Sequence, residues 1–270
     1  MPLDRPVINS NVPHSARIWN YWLGGKDCYE IDRQVGEEIR RMNPQIVEIA
    51  RAQRAFLRGT VAHLTEAAGL RQFLDIGTGL PTQDNTHEVA QRIARDSRIV
   101  YVDHDPTVLA HATALLTSTP EGATAFIDAD LRDPDVILER AAHTLDLTRP
   151  VALMLLGITA HVPDESAYDV VARLLDALPS GSHLVLGDST EVYRPEAMRA
   201  MVEHWNGASD NPRVNRSPEQ LARFFDGLDL VEPGLVSVGR WRAARSGSDE
   251  VEGVEVVEEV DCFGGVGRKP

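Results

Sequence analysis

The sequence predicts an α/β fold: a doubly wound, seven-stranded, mostly parallel sheet with an antiparallel last strand and an N-terminal helical cap. Three observations carry this reading. From residue 72 onward, short apolar runs alternate with helix-patterned segments, as strand–helix–strand units require. The runs at 73–76, 99–102 and 151–156 are almost wholly apolar, which suits strands covered on both faces. The first 70 residues carry helix signals only, ahead of the first strand.

Composition bounds the function. The chain has 270 residues, 43% of them hydrophobic, enough for one large domain or a domain with a cap. The expected division is an arm and helical cap over 1–70 and a ligand-binding domain over 71–270, forming one structural unit. A formal net charge of −14 disfavours nucleic acid and anionic membranes as partners, because phosphate binding needs a basic stripe. No apolar run is long enough to span a membrane and no apolar leader follows Met1, so a cytoplasmic protein is expected. Cys28 and Cys262 are far apart and lack metal-ligand spacing, so no metal site is expected.

Residues 1–13 read as an extended arm. Ser15 to Leu23 reads as a helix stopped by Gly24-Gly25. Asp27 with Glu30 suggests the start of a second helix over 28–42. Asn43-Pro44 suggests a third, whose apolar positions Ile46, Val47, Ile49, Ala50, Phe56, Leu57, Val61 and Leu64 keep helical spacing up to Gly69. Tyr21 to Lys26 has two readings. One is a helix end with an ordinary surface lysine. The other is a lid, in which the amides of Gly24 and Gly25 approach a ligand carboxylate, Lys26 adds charge, and Tyr21 and Trp22 exclude water.

Phe73-Leu74-Asp75-Ile76-Gly77-Thr78-Gly79 is a buried strand breaking into a glycine turn, with Asn85 and Glu88 marking the next helix start. A strand, a glycine turn and a helix start make a nucleotide-type site. Asp75 stands inside the strand end, and Pro81 replaces the third glycine of a dinucleotide fingerprint. Asp-x-Gly-x-Gly therefore resembles the first motif of class I S-adenosylmethionine-dependent methyltransferases more than a pyrophosphate cradle. Asp103 ends the second strand, where an acid accepts hydrogen bonds from both ribose hydroxyls, and His104 follows it at the adenine. Asp130 ends the third strand; in these methyltransferases that acid accepts from the adenine amino group, with Leu131 packing on the ring. Helices are expected over 106–116 and 134–144.

The central strand 151–156 ends at Gly157, next to the switch point where ligands lie. Gly157 to Val162 should sit near the reactive sulfur, with Thr159 in the acceptor pocket. His161 is the candidate general base, or else a cap or packing residue. A helix over 166–178 leads to a fifth strand, 182–186, ending near Asp188, which either orients a polar acceptor or caps a helix. The irregular stretch 191–216, with Tyr193, either shapes the acceptor pocket or packs the core. Ser217-Pro218-Glu219-Gln220 is a clear helix start. A sixth strand over 228–238 bends at Pro233-Gly234, an acidic loop covers 246–259, and 262–267 returns as the antiparallel last strand at the sheet edge.

Ala16 to Asp27, with the Asp-Ile-Gly-Thr-Gly-Leu-Pro-Thr block at 75–82 and the ending Gly265-Val266-Gly267-Arg268-Lys269-Pro270, resembles the S-adenosyl methyltransferase family over nearly the whole chain. The family was first catalogued as a domain of unknown function. Trp22 stands where relatives often carry Leu, and Cys28 where many carry Asn. The resemblance implies a class I, Rossmann-like fold and S-adenosylmethionine as cofactor. The function expected is methyl transfer to a small-molecule acceptor. Gly77, Thr78 and Gly79 would hold the methionine end. The chain lacks an Asn/Asp-Pro-Pro-Tyr segment and a Pro-Cys pair, which argues against amino-methylation of bases and against attack on cytosine C5. Two alternatives stay open: a non-catalytic cofactor-binding regulator, and a nicotinamide-dependent oxidoreductase, which Pro81 opposes.

Overall fold

The computed structural model describes residues 9–115, 117–241 and 259–270, without the side chains of 112–116. The first part of the expected arm and nearly all of the acidic loop, 246–258, lie outside the described residues. Three helices come first: α1 (Ser15–Trp22), α2 (Glu30–Met42) and α3 (Ile46–Glu66). Five strand–helix units follow: β1 (Gln72–Ile76), α4 (Thr86–Ile93), β2 (Arg98–Asp103), α5 (Pro106–Leu115), β3 (Ala123–Asp128), α6 (Pro134–Ala141), β4 (Ala152–Leu156), α7 (Asp164–Asp176), β5 (His183–Ser189) and α8 (Pro195–Ala208). The chain ends with α9 (Pro218–Ala222), β6 (Asp229–Leu230), β7 (Val236–Ser237) and β8 (Cys262–Arg268).

The strand order is β3-β2-β1-β4-β5-β8-β6, with β7 also paired to β8. Strands β1 to β5 are mutually parallel, and β8 runs antiparallel to β5. The order reverses between β1 and β4, so the two strand tips part there and leave a crevice. The expected sixth strand is instead two strands of two residues each, β6 and β7, on either side of the Pro233-Gly234 bend. Both pair with β8, so the sheet has eight strands and β8 has neighbours on both sides. Proline has no N–H for a ladder, and Gly234 turns the chain at φ 85°.

Alternation along the strands divides the core in two. Phe73, Ile99, Tyr101, Met154 and Val185 face one side and pack against α1–α4 and α8. Leu74, Ile76, Val100, Leu153 and Leu155 face the other and pack against α6, α7 and α9. The three N-terminal helices thus cover one face of the sheet, with α3 reaching β4 and β8.

Two helix starts differ from expectation. α2 begins after Tyr29, not Asp27, because buried Asp32 accepts from the Tyr29 N–H at 2.8 Å. α3 begins at Ile46; the Asn43 side chain accepts from the Gln45 N–H at 3.2 Å, a local turn ahead of the helix. At α9 the reciprocal pair is as the sequence indicates: Gln220 N–H donates to Ser217 Oγ at 3.2 Å, and Ser217 N–H to Gln220 Oε1 at 2.8 Å.

At the start of β5 the His183 ring is buried and its Nδ1 has no partner. Burial pushes its pKa down to about 4. An unfolded chain binds the proton near pH 6.5, so stability is lost as pH falls below that value. His183→Gln is expected to shrink the loss of unfolding free energy between pH 7 and pH 5 by about 1–2 kcal/mol, read from urea denaturation at both values. An unchanged pH dependence would contradict this account of the ring.

Candidate functional site

β1 delivers Asp75 and then the turn Gly77-Thr78-Gly79 to the crevice. Gly77 and Gly79 hold φ of 74° and 65°, the left-handed region that glycine enters without penalty. The turn is tied to β2: Gly77 N–H donates to Val102 O at 2.8 Å, and Gly79 N–H to Asp103 Oδ2 at 2.9 Å. The other Asp103 oxygen, Oδ1, accepts from Asp105 N–H at 3.0 Å. Each oxygen of an ionised carboxylate has two acceptor positions, so this clamp leaves one on each oxygen for a ligand. Burial raises the Asp103 pKa, and the two backbone donors oppose the rise.

Asp75 lies deeper and is buried. Burial lifts its pKa to about 6, against a hydrogen bond from Thr86 Oγ1 at 2.6 Å and the nearby Arg54 guanidinium. Arg54, from α3, donates to Asn85 Oδ1 at 3.4 Å, and its Nε is buried without a partner. From β4 the chain turns at Gly157, φ 77°, where Gln53 of α3 sits 3.4 Å from the place a Cβ would occupy.

Asp75, the Gly77–Gly79 turn, Asp103, Gln53 and Arg54 line one cavity that is partly open to solvent. His104, Gly157 and His161 line it with them, and α1 closes it with Trp19, Asn20 and Leu23. His161 Nδ1 is 3.2 Å from Pro212 O, a contact that places the ring proton on Nδ1 and leaves Nε2 as an acceptor. Burial, with the adjacent Arg213 charge, pushes the His161 pKa down to about 4, so the ring is neutral at pH 7. Among the described residues, no cluster of three or more His, Cys, Asp or Glu could hold a metal ion. Nor is any described helix long and apolar enough to cross a membrane.

The family model of the S-adenosyl methyltransferases matches residues 3–270. The chain belongs to this family. It is an S-adenosylmethionine-dependent methyltransferase, and its cofactor is S-adenosylmethionine. It is 43% identical to a solved DUF574 family protein from Streptomyces avermitilis, covering 97% of this chain and 99% of that one at a TM-score of 0.89. A putative methyltransferase from Thermobifida fusca is 36% identical, with 96% and 95% covered and a TM-score of 0.84. The magnesium protoporphyrin IX methyltransferase of Synechocystis, solved with bound S-adenosylhomocysteine, is 12% identical, with 94% and 93% covered and a TM-score of 0.52, and shares the fold. No protein with a curated description matches the chain.

In this methyltransferase the cavity gathers Asp75, Gly77, Thr78, Gly79, Asp103, His104, Gly157 and His161 from the residues the sequence singles out. Others lie outside its lining. Gly24 N–H donates to Tyr21 O at 2.9 Å and Gly25 N–H to Asn20 O at 2.8 Å, so both amides close the end of α1 and none is left for a carboxylate. Lys26 is exposed, and Tyr21 donates its hydroxyl to Glu37 at 2.7 Å. Trp22 is buried with Nε1 on Gly36 O, in the wall of a second, smaller cavity. Asp130 folds onto Arg132, which holds its carboxyl below the usual range, and Leu131 packs into the core on the far sheet face. Thr159 donates to Asp188 Oδ2 at 2.6 Å, so these two satisfy each other. Tyr193 stacks on Phe263 with ring centres 6.1 Å apart.

Gln53, Arg54, His14, Trp19 and Arg213 line the cavity without having been singled out. For Gln53 the signal was present: it falls in phase with Ile49, Ala50, Phe56 and Leu57, on the buried stripe of α3. A polar residue on a core stripe marks either a buried hydrogen bond or a site. Arg213 gives no such signal, since it sits in an irregular loop.

Proposed function

We propose that this enzyme transfers the methyl group of S-adenosylmethionine to a small-molecule acceptor in the cavity between the strand tips and α1. The observation that carries the reading is the Asp103 clamp, whose carboxylate keeps one acceptor position per oxygen beside the glycine turn. The pattern matches a ribose with two adjacent hydroxyls. Gly77 and Gly79 leave room for the ligand backbone to lie close. Asp75 and the unpartnered Nε of Arg54 suit the ammonium and carboxylate of an amino-acid end. Asp130, engaged by Arg132, takes the adenine amino group only if that ion pair opens, so His104 is the nearer adenine neighbour.

When bound, S-adenosylmethionine supplies a methyl carbon on a positively charged sulfur. Gly157 keeps the tip of β4 clear of side chain where the acceptor approaches. His161 takes at Nε2 the proton that an acceptor hydroxyl or amine gives up, and its Nδ1–H on Pro212 O fixes the ring. α1, through Trp19 and Leu23, excludes water from the cavity.

The reading is tested by incubating the enzyme with methyl-labelled cofactor and a panel of hydroxyl- and amine-bearing small molecules. Label should appear in a small product with release of S-adenosylhomocysteine; label found only in nucleic acid or protein added in parallel would contradict it. With a hydroxyl acceptor in hand and the enzyme saturated with cofactor, whose ammonium would keep Asp75 ionised, kcat/KM for the acceptor should be flat from pH 8 to about pH 5 and fall as His161 protonates near pH 4. His161→Ala should lower kcat about a hundredfold, the low end of general-base contributions. An unaltered kcat would remove His161 from proton transfer.

A further inference from the structure

Arg213 is a largely buried cation in the cavity wall that the methyl-donor reading does not use. Its side chain is 14% exposed and lines both the main cavity and the smaller one beside it. One of its donors, Nη2, goes to Ser189 Oγ at 2.7 Å, while Nε is buried with no partner. The nearest carboxylate, Asp188, stands 4.0 Å away and is already committed: it accepts from Thr159 Oγ1, Ala160 N–H and Ser189 N–H at 2.6, 2.7 and 2.8 Å. Asp188 offsets part of the charge but leaves the guanidinium fork open.

The loop that carries Arg213 is also held in place. Arg213 N–H donates to Asn206 Oδ1 at 2.8 Å, and Asn206 Nδ2 returns a hydrogen bond to Arg213 O at 3.0 Å. Val214 N–H joins the loop to Ala160 O at 2.9 Å, beside His161. An enclosed guanidinium with unused donors costs desolvation that a carboxylate partner repays through paired, charge-assisted hydrogen bonds. The smaller cavity that shares Arg213 is walled by Ser15 and by apolar side chains that include Trp19, Trp22 and Trp205, and it is too narrow for a ring, so a ligand of Arg213 must lie in the main cavity. Trp19 and Trp22 meet there edge to face, with ring centres 5.9 Å apart.

Resting on the methyl-transfer reading above, we propose that the acceptor is a small aromatic carboxylic acid held in the main cavity: Arg213 grips its carboxylate, and its ring lies against Trp19, which lines the same cavity as His161. Arg213 is thereby a specificity-determining residue, placed next to the His161 base and apart from the ribose clamp at Asp103.

The test is titration calorimetry on enzyme saturated with S-adenosylhomocysteine, using phenylacetate and indole-3-acetate, each against its primary amide. At least one acid should bind ten times or more tighter than its amide. Arg213→Met should abolish that preference and leave S-adenosylhomocysteine affinity within about twofold. Arg213→Lys should keep only part of it, because a point charge lacks the fork. Equal binding of acids and amides to the wild type, or binding of neither, overturns the proposal whether or not a variant folds. A large loss of S-adenosylhomocysteine affinity in Arg213→Met also overturns it, by assigning the arginine to the cofactor's own carboxylate. Failure of the wild type to bind S-adenosylhomocysteine at all would instead overturn the reading of the cofactor site.

Discussion

Asp103→Ala is expected to weaken S-adenosylhomocysteine binding by more than about a hundredfold, measured by titration calorimetry against wild type. Each hydrogen bond to a charged group contributes about 1.5–3 kcal/mol, and two ribose hydroxyls would lose their acceptor together. The Gly79 amide would lose its 2.9 Å partner as well, so the turn under the ligand loosens. Fold stability should change far less than affinity. Burial raises the Asp103 pKa, so the ionised form is disfavoured by the folded state in the absence of ligand. Asp103→Asn should lose less, because an amide oxygen still accepts from one backbone N–H. A variant that binds like wild type would remove the ribose assignment.

Gly77→Ala is expected to reduce unfolding free energy by about 2–4 kcal/mol in urea and to abolish measurable cofactor binding. The left-handed conformation alone costs a non-glycine residue about 1–2 kcal/mol. The added carbon would also lie 2.5 Å from Ile158 Cβ and 2.6 Å from its Cγ1. Those atoms are close to the main chain and cannot swing away, so the tips of β1 and β4 must part, at about 1–3 kcal/mol for overpacking. Gly79→Ala is the control. Its φ is 65°, but its nearest new neighbour would be Ala16 Cβ at 3.8 Å, so only the conformational cost of about 1–2 kcal/mol applies. Similar losses at both glycines would mean that close approach to Ile158 does not govern the turn.

These two positions were legible in the sequence because their signals are local. An apolar run that ends in glycine can be read without knowing what lies across from it. The same holds for the acid at the tip of β2 and for the capping pair at Ser217 and Gln220. Gly24-Gly25 was legible as a helix stop for the same reason, while its alternative role as a lid depended on where α1 docks. Docking is a tertiary matter: it presents Trp19, Asn20 and Leu23 to the cavity and turns Lys26 to solvent. Arg54 and Arg213 reach the site from a helix and a loop far apart in sequence. Their roles follow from a buried Nε that lacks a partner in each, which no spacing rule encodes. The doubling of the sixth strand had its marker in Pro233-Gly234, yet the pairing of both halves with β8 depends on register.

The central claim is that the tips of β1, β2 and β4 hold one adenosyl group. A crystal structure of the enzyme with S-adenosylhomocysteine tests it most directly. The account predicts both ribose hydroxyls on Asp103, the amino-acid end between Asp75 and Arg54, and the sulfur facing Gly157 and His161. A ligand seated away from the Gly77–Gly79 turn, with Asp103 making no ribose contact, would contradict it.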